Sequence, residues 1–356
     1  INDAGTMRVS TVQTLAAYLD DEITAMPNLV TVGATGTSSA VAGIPFYRGD
    51  GNNSSIYTHD VSGTDSTAQY NTGYGITSLD AITTGDKNTA IGNAAGSALT
   101  EATDSVLVGY ESGAAITTGV KNVAVGSFAL DALNTGSENT AIGHQALTSD
   151  TKGGRNVAIG HGTLSTQNFT SATSSYNIAV GYNALNLNTT GPNNVAVGAL
   201  ALDANTTGGT NVAVGRGSLG ANTTASNNVA IGDLSMVANT EGHSNTAIGK
   251  GTLGANTTGT SNTAVGCDAL ANNTTAGANT AVGRNSLRDN TTGSDNTAVG
   301  ESSLRENETG CCNAVLGENA MTLNTSGCYN TSIGSFSLHN NTTADNNTAV
   351  GYQALK

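Results

Sequence analysis

The N-terminal part of the chain holds the few residues whose types and spacing could support a reaction or bind an ion. His59 and Asp60 could form an acid–base pair, but with five His scattered among many Ser, chance proximity explains such a pairing better than a triad does. A calcium loop starting at Asp50 would have Ser55 where glycine is needed and Val61 where the distal glutamate belongs. No two carboxylates are spaced for glycan cleavage. The sequence therefore predicts no catalytic, cofactor-binding or metal site, and we do not expect an enzyme.

The tripeptide Arg48-Gly49-Asp50 has the residues that integrins recognise. Gly51 and Asn52 follow it directly, and a run of this composition is typical of a turn. We therefore interpret the tripeptide as part of a turn and not as an adhesion motif.

The composition excludes several classes of protein. The 356 residues include 46 Gly and no Trp, with 4% aromatic and 11% charged residues, so large interlocking side chains for a compact enzyme core are missing. The net charge of −14 disfavours nucleic acid and anionic membrane surfaces as partners. No apolar run approaches the roughly 18 to 20 residues of a spanning helix, so we expect no membrane insertion.

An internal repeat dominates the rest of the chain. The string Asn88-Thr-Ala-Ile-Gly92 recurs with small variations, and its first residue falls at 88, 105, 122, 139, 156, 177, 194, 211, 228, 245, 262, 279, 296, 313, 330 and 347. Positions within a repeat are numbered from 1 at this residue. Fourteen of the fifteen intervals are 17 residues; the other is 21, with an insertion of four extra residues around 168–175. Self-similarity at a fixed period predicts a solenoid and argues against disorder.

The residues found at each position predict the path of one repeat. Position 4 is aliphatic in all sixteen copies and position 2 is Thr, Val, Ile or Ala, so we expect both on the buried face of a β-strand. Position 5 is always Gly, as expected for a positive φ or a close approach of two backbones. Position 9 is Leu or Met in fourteen copies, which predicts a second short strand. Asn at position 12, from Asn188 to Asn341, is typical of a turn.

One repeat is thus predicted to form one coil of an all-β solenoid, or β-roll, of about sixteen 17-residue coils. Stacked at about 4.8 Å, the coils would form a rod about 75 to 80 Å long, with Val197, Val214 and Ile231 in a vertical column and equivalent Asn side chains in ladders. Each coil has little apolar surface to bury. We therefore expect one face of every coil to pack against sister chains in a homotrimer.

The string Asn-(Thr/Val)-Ala-(Ile/Val)-Gly resembles the head repeat of trimeric autotransporter adhesins, which form a left-handed parallel β-roll in each of three chains. The 17-residue unit with Asn-Thr-Thr-Gly turns, ending as Tyr352-Gln-Ala-Leu355, is more similar to repeats of phage tail fibres and related surface fibres. The resemblance covers about residues 81–356. It implies a trimeric fibre of a virion (tail fibre) or an extracellular surface appendage.

The first 80 residues differ from the repeat. Apolar residues in 1–27 recur at spacings of 3 and 4, which predicts a coiled-coil helix with the trimerisation seam Val9, Val12, Ala16, Leu19, Ile23 and Met26. A single amphipathic helix docked on the next domain is the alternative. Residues 28–80 are interpreted as a β-rich collar, and 81–356 as the shaft. We expect the N-terminal region to attach the rod to a virion baseplate or tail, or to a cell-surface anchor.

Two of the four cysteines share a register. Cys311 and Cys328 both occupy position 16 of consecutive repeats, so their Cα atoms should lie about 5 Å apart, within the range for a disulfide. They could bridge adjacent coils, or all four cysteines could stay thiols in a reducing cytosol.

Receptor contacts are expected where the sequence varies on the repeated scaffold. Positions 6 and 7 vary freely, and the insertion is the only break in the shaft, although it could equally be a bulge without a binding role. The candidate contacts for a host-surface glycan or protein are Phe128, Phe169, Tyr176, Tyr182, Phe336 and Tyr352, with Tyr110 as a further exposed ring. The function we expect is a rigid spacer for host attachment. An autotransporter-type adhesin and a polysaccharide-cleaving fibre are the alternatives.

Overall fold

The computed structural model describes residues 64–356 without a gap, together with 55–58, 61 and the backbone of 31–32, 39–41 and 44–48. The seam predicted from Val9 to Met26 lies outside the described residues, as do His59 and Asp60. The described residues contain strands and turns and no α-helix. The strands are β1 Thr31–Val32, β2 Ser39–Val41, β3 Ile44–Arg48, β4 Ile56–Tyr57, β5 Thr72–Tyr74, β6 Thr89–Ile91, β7 Val106–Val108, β8 Val123–Val125, β9 Thr140–Ile142, β10 Gly153–Gly154, β11 Val157–Ile159, β12 Thr173–Ser174, β13 Ile178–Val180, β14 Val195–Val197, β15 Val212–Val214, β16 Val229–Ile231, β17 Thr246–Ile248, β18 Thr263–Val265, β19 Thr280–Val282, β20 Thr297–Val299, β21 Ala314–Leu316, β22 Thr331–Ile333 and β23 Thr348–Val350.

The strands that repeat every coil form one parallel ladder, which confirms the predicted solenoid. Val197 pairs with Val214, and Val214 pairs with Ile231, so equivalent side chains stack in the predicted column. From β5 to β23 the register is 17 residues except at the insertion, where Val157 pairs with Ile178; β4 pairs with β5 at an offset of 16 residues, Ile56 opposite Thr72. Each three-residue strand is too short to be stable alone, and its stability comes from neighbours in the ladder.

The ladder begins upstream of residue 81, where the repeat first becomes clear in the sequence. β4 pairs with β5 in parallel and β5 pairs with β6, while β1, β2 and β3 form an antiparallel meander that joins β4 through Tyr47 and Tyr57. Two departures from the repeat make the start of the ladder hard to recognise in the sequence. Gly73 replaces the usual Ala at position 3, and the buried Tyr57 ring of the preceding strand fills the space, with its Cδ1 only 2.9 Å from where a Cβ on Gly73 would lie.

The face of the strand that points inward is the opposite of the one predicted. Position 3 is buried in the ladder strands from β6 to β23, as Ala196, Ala213 and Ala230 are, whereas positions 2 and 4 are half-buried or exposed. Position 3 is small in most coils, where it shares the interior with the large side chain of position 9; the exceptions, Leu107 and Val315, are buried as well. The prediction from hydrophobicity was wrong because the larger aliphatic side chains lie on the outer face.

The second predicted strand is also wrong, because positions 6 to 11 form a continuous turn. Leu202 at position 9 is fully buried as expected, but its φ is 52°, in the left-handed region, and Leu200 at position 7 has a φ of 57°. The turn is bonded to both neighbouring coils, since the Leu200 N–H donates to Tyr182 O and the Leu202 N–H donates to Ser218 O. These contacts between coils offset a conformation that non-glycine residues otherwise adopt rarely.

Glycine at position 5 is required for both reasons that the sequence indicated. Gly215 has a φ of 132°, and a Cβ built on it would lie 2.4 Å from the carbonyl oxygen of Gly232 in the next coil. The backbones of successive coils therefore approach too closely here for any side chain.

Two ladders of buried asparagine run through the interior. Asn211, at position 1, receives the Asn228 N–H on its Oδ1 at 3.0 Å and donates its Nδ2 to Ala225 O at 2.9 Å. At position 12, Asn222 Nδ2 donates to Asn205 Oδ1 of the coil before at 2.9 Å and to Ala225 O at 3.1 Å. The amides thus bond the turns of one coil to the next and fix the register, as the predicted asparagine ladders require.

Candidate functional site

An apolar outer sheet face extends along the whole ladder. It consists of positions 2 and 4 of each strand, and we call it the outer sheet face. Its position 4 column is half-exposed along most of the rod and includes Ile91, Ile142, Ile159, Val197, Ile231, Ile248, Leu316 and Ile333, with exposed fractions from 36% to 51%. Parallel sheets are normally covered on both faces, so a face of this composition is unusual in a single chain.

Aromatic rings form a column along one rim of this face, at positions 6 and 7 of five consecutive coils, with edge-to-face contacts on both sides of Phe128 and stacked contacts on both sides of His161. The column is Tyr110, Phe128, His144, His161 and Tyr182, with successive ring centroids 5.3, 6.0, 5.3 and 5.5 Å apart. Tyr110, His144, His161 and Tyr182 are exposed. The two histidines were not among the predicted contact residues. Both occupy position 6 of consecutive repeats, so the 17-residue register alone could have predicted that their rings lie next to each other.

The other rim, at position 17, has charges of alternating sign. Going up the rod, the residues are Lys87, Asp104, Lys121, Glu138 and Arg155. Arg155 Nε lies 2.9 Å from Glu138 Oε2, and this hydrogen bond and charge hold the pKa of Glu138 below its usual value. The alternation ends at Arg155, because the residue above it is Tyr176 and not an acid.

The insertion forms its own short ladder beside this rim. β12 pairs in parallel with β10, so that Gly153 lies opposite Thr173 and Gly154 opposite Ser174. Arg155 links the two coils, since Nη1 donates to Ser174 Oγ at 2.7 Å and to Tyr176 Oη at 3.1 Å. The insertion is thus an ordered extension of the solenoid.

The insertion and the two coils beneath it enclose a concavity of about 210 Å³. Its walls are main chain and hydroxyl groups, with three charged side chains. The lining residues are Thr135, Gly136, Ser137, Glu138, Lys152, Gly154, Arg155, Ala172, Thr173 and Ser174. Lys152 and Arg155 are both exposed.

A buried carboxylate supports the floor of this concavity. Asp150 is fully buried at position 12, where its Oδ1 accepts the Gly153 N–H at 2.8 Å and the Phe169 N–H at 3.3 Å. Its Oδ2 accepts Gln167 Nε2 at 2.7 Å, and Gln167 Oε1 in turn accepts Asn177 Nδ2 at 2.7 Å. These side chains connect the first turn of the insertion to the asparagine ladder above.

The predicted contact residues differ in accessibility. Phe169 is only 7% exposed, so its assignment as a receptor contact is corrected: the side chain is buried. The other candidates reach the surface to different degrees. Tyr176, Tyr182 and Tyr352 are exposed, whereas Phe128 and Phe336 are partly buried. The structure brings Phe128 and Tyr182 into the aromatic column and leaves Tyr352 near the far end of the rod.

The cysteine pair is close, as the register predicts. Cys311 Sγ lies 3.0 Å from Cys328 Sγ, and both side chains are free thiols. The hydrogen bond to Cys328, burial and the neighbouring Cys312 raise the pKa of Cys311 to about 12. The disulfide therefore remains a prediction.

Within the described residues, no group of three or more His, Cys, Asp or Glu is placed to hold a metal ion. The same residues include no helix of sufficient length and apolar character to cross a membrane. In comparisons with known proteins, no family model and no curated protein matches this chain.

Proposed function

We propose that this chain is the shaft of a homotrimeric fibre on a virion or cell surface, where it is a rigid spacer for attachment to a host-surface receptor. The outer sheet face carries this proposal. A parallel sheet that exposes Val and Ile along sixteen coils would favour association with a surface of the same repeat, because only another rod of the same period matches it coil by coil.

A rod of this construction suits a spacer. Successive coils are joined by strands, by turns, by the position 1 ladder and, from Asn188 to Asn341, by the position 12 ladder, so the length of the rod scales with the number of repeats. The charge of −14 would keep such a fibre soluble.

Sedimentation of the full chain tests the association. We expect the mass of three chains and, on the double substitution Ile231→Glu and Ile248→Glu, dissociation to single chains, because each change places charge on the outer sheet face. Thr224→Glu, on an exposed turn of the coil before that of Ile231, should leave the trimer intact. A wild-type rod that sediments as a single chain would refute the trimer.

Imaging tests the role itself. Antibodies raised against the shaft should decorate thin fibres projecting from the native particle or cell. Labelling confined to the interior of the particle, or to soluble material, would contradict the proposed spacer.

A further inference from the structure

The structure assigns a binding site for an acidic saccharide to the concavity beside the insertion, with Lys152 and Arg155 as the groups that receive the acid. This inference rests on the proposed function, because it names the chemical class of receptor that such a fibre would contact. The site is formed by three successive coils of one chain.

Charge is the first argument. Along the position 17 rim each cation has an acid as neighbour, but the residue above Arg155 is Tyr176, so Arg155 has an acid on one side only. Lys152 adds a second cation outside this alternating column. The exposed charges on the wall are therefore two cations and one acid, Glu138, in a chain whose net charge is −14. Together with the Asp150 carboxylate buried beneath, these charges balance, so an anion would be repelled less at this spot than by the rest of a strongly acidic chain.

Unused donor capacity is the second argument. Arg155 donates through Nε to Glu138 and through Nη1 to Ser174 and Tyr176, and its Nη2 has no hydrogen bond to any of the described residues. Lys152 Nζ donates only to Thr170 O, at 3.3 Å, so two of its three donors are free. A guanidinium and an ammonium with free donors are the groups that bind the oxygens of a carboxylate or a sulfate.

The walls fit a sugar better than a small inorganic ion. The hydroxyls of Thr135, Ser137 and Thr173 line the concavity with main-chain groups, which are suitable partners for sugar hydroxyls. The Arg155 guanidinium lies 5.7 Å from the centroid of the Tyr176 ring, so an amphipathic ring stands beside the cation. The volume of about 210 Å³ is enough for one sugar unit and not for a folded partner.

The site is also preorganised. The buried Asp150 holds the turn that carries Lys152 through the Lys152 and Gly153 N–H groups, and it holds the start of the insertion through Phe169 and Gln167. Binding would therefore require little ordering of the chain, which favours affinity for a small ligand.

Binding of a polyuronate oligosaccharide to the full chain tests the site. Isothermal titration should detect binding that weakens with added salt, and the same oligosaccharide with its carboxyl groups reduced to alcohols should bind at least tenfold more weakly. Lys152→Gln should weaken polyuronate binding by roughly tenfold, since it removes one charged donor. The matched control is Lys250→Gln, an exposed lysine on the opposite rim, which should leave the affinity unchanged.

A sulfated oligosaccharide distinguishes the source of the acid group. The site is supported if either the polyuronate or the sulfated oligosaccharide binds and Lys152→Gln weakens that binding. The oligosaccharide that binds more tightly identifies the acid group. Equal binding of the acidic and the reduced oligosaccharides, equal loss in both lysine variants, or no binding of either acid would overturn it. The spacer proposal is judged separately by sedimentation and imaging, so the two can fail independently.

Discussion

Removal of one rung from the asparagine ladder at position 1 should reveal how much the buried amides stabilise the rod. Asn211 is fully buried and makes three hydrogen bonds through its side chain and N–H. Asn211→Ala deletes two of them. The carbonyl of Ala225 keeps a donor in Asn222 Nδ2, but the Asn228 N–H loses its acceptor within the protein interior.

The expected size follows from these contacts. A lost hydrogen bond contributes about 1 kcal/mol, and an unsatisfied buried donor costs about 1 to 3 kcal/mol, so Asn211→Ala should destabilise this rung by about 2 to 4 kcal/mol. The chain itself supplies a matched control at Ser105, which occupies position 1 and accepts the Asn122 N–H on its Oγ at 3.2 Å. Asn211→Ser should keep an acceptor and destabilise the rung by only about 1 kcal/mol.

Amide hydrogen exchange measures this locally. The Asn228 amide should exchange about 30- to 1000-fold faster in Asn211→Ala and about fivefold faster in Asn211→Ser. The exchange rate of the Asn296 amide, five coils from Asn211, should not change. Equal acceleration in the two variants would show that the acceptor is not what stabilises the rung. Unchanged exchange in Asn211→Ala would refute the contribution of the ladder altogether.

Three further predictions concern packing, backbone and thiols. Gly113→Leu should lower the unfolding midpoint, since a Cβ at this position would lie 2.7 Å from Leu107 Cδ2. The second substitution Leu107→Ala should restore much of the lost stability. If the effects of the two substitutions simply add in the double variant, this packing is contradicted. Thr210→Asn should raise the free energy of unfolding by about 1 kcal/mol, because the φ of 58° is unfavourable for a β-branched residue; an unchanged or lower free energy of unfolding would argue against strain. Glutathione disulfide should oxidise the thiols of Cys311 and Cys328 to one disulfide, releasing two glutathione thiols and stabilising the rod by about 3 kcal/mol; peptide mapping that finds both thiols free would disprove it.

Some features of the interior depend on residues that compensate for one another. Leu107 replaces the Ala of position 3, and the coils around it have Gly96 and Gly113 where other coils have Leu. Register alone places these side chains together, so the exchange of large for small could have been predicted from the sequence. The buried position of Phe169 could not, because it depends on how the insertion folds back over Asp150.

The 17-residue period by itself determined that the chain is a β-solenoid, which side chains stack on which, and that Cys311 lies beside Cys328. Repetition suffices for this, because identical units can satisfy identical contacts only by stacking in register. Which strand face points inward was decided only by the tertiary structure. Position 3 shares the interior with the large side chain of position 9 and is Ala in most coils, while the aliphatic side chains of position 4 lie on the outer face, so hydrophobicity alone assigned the wrong face.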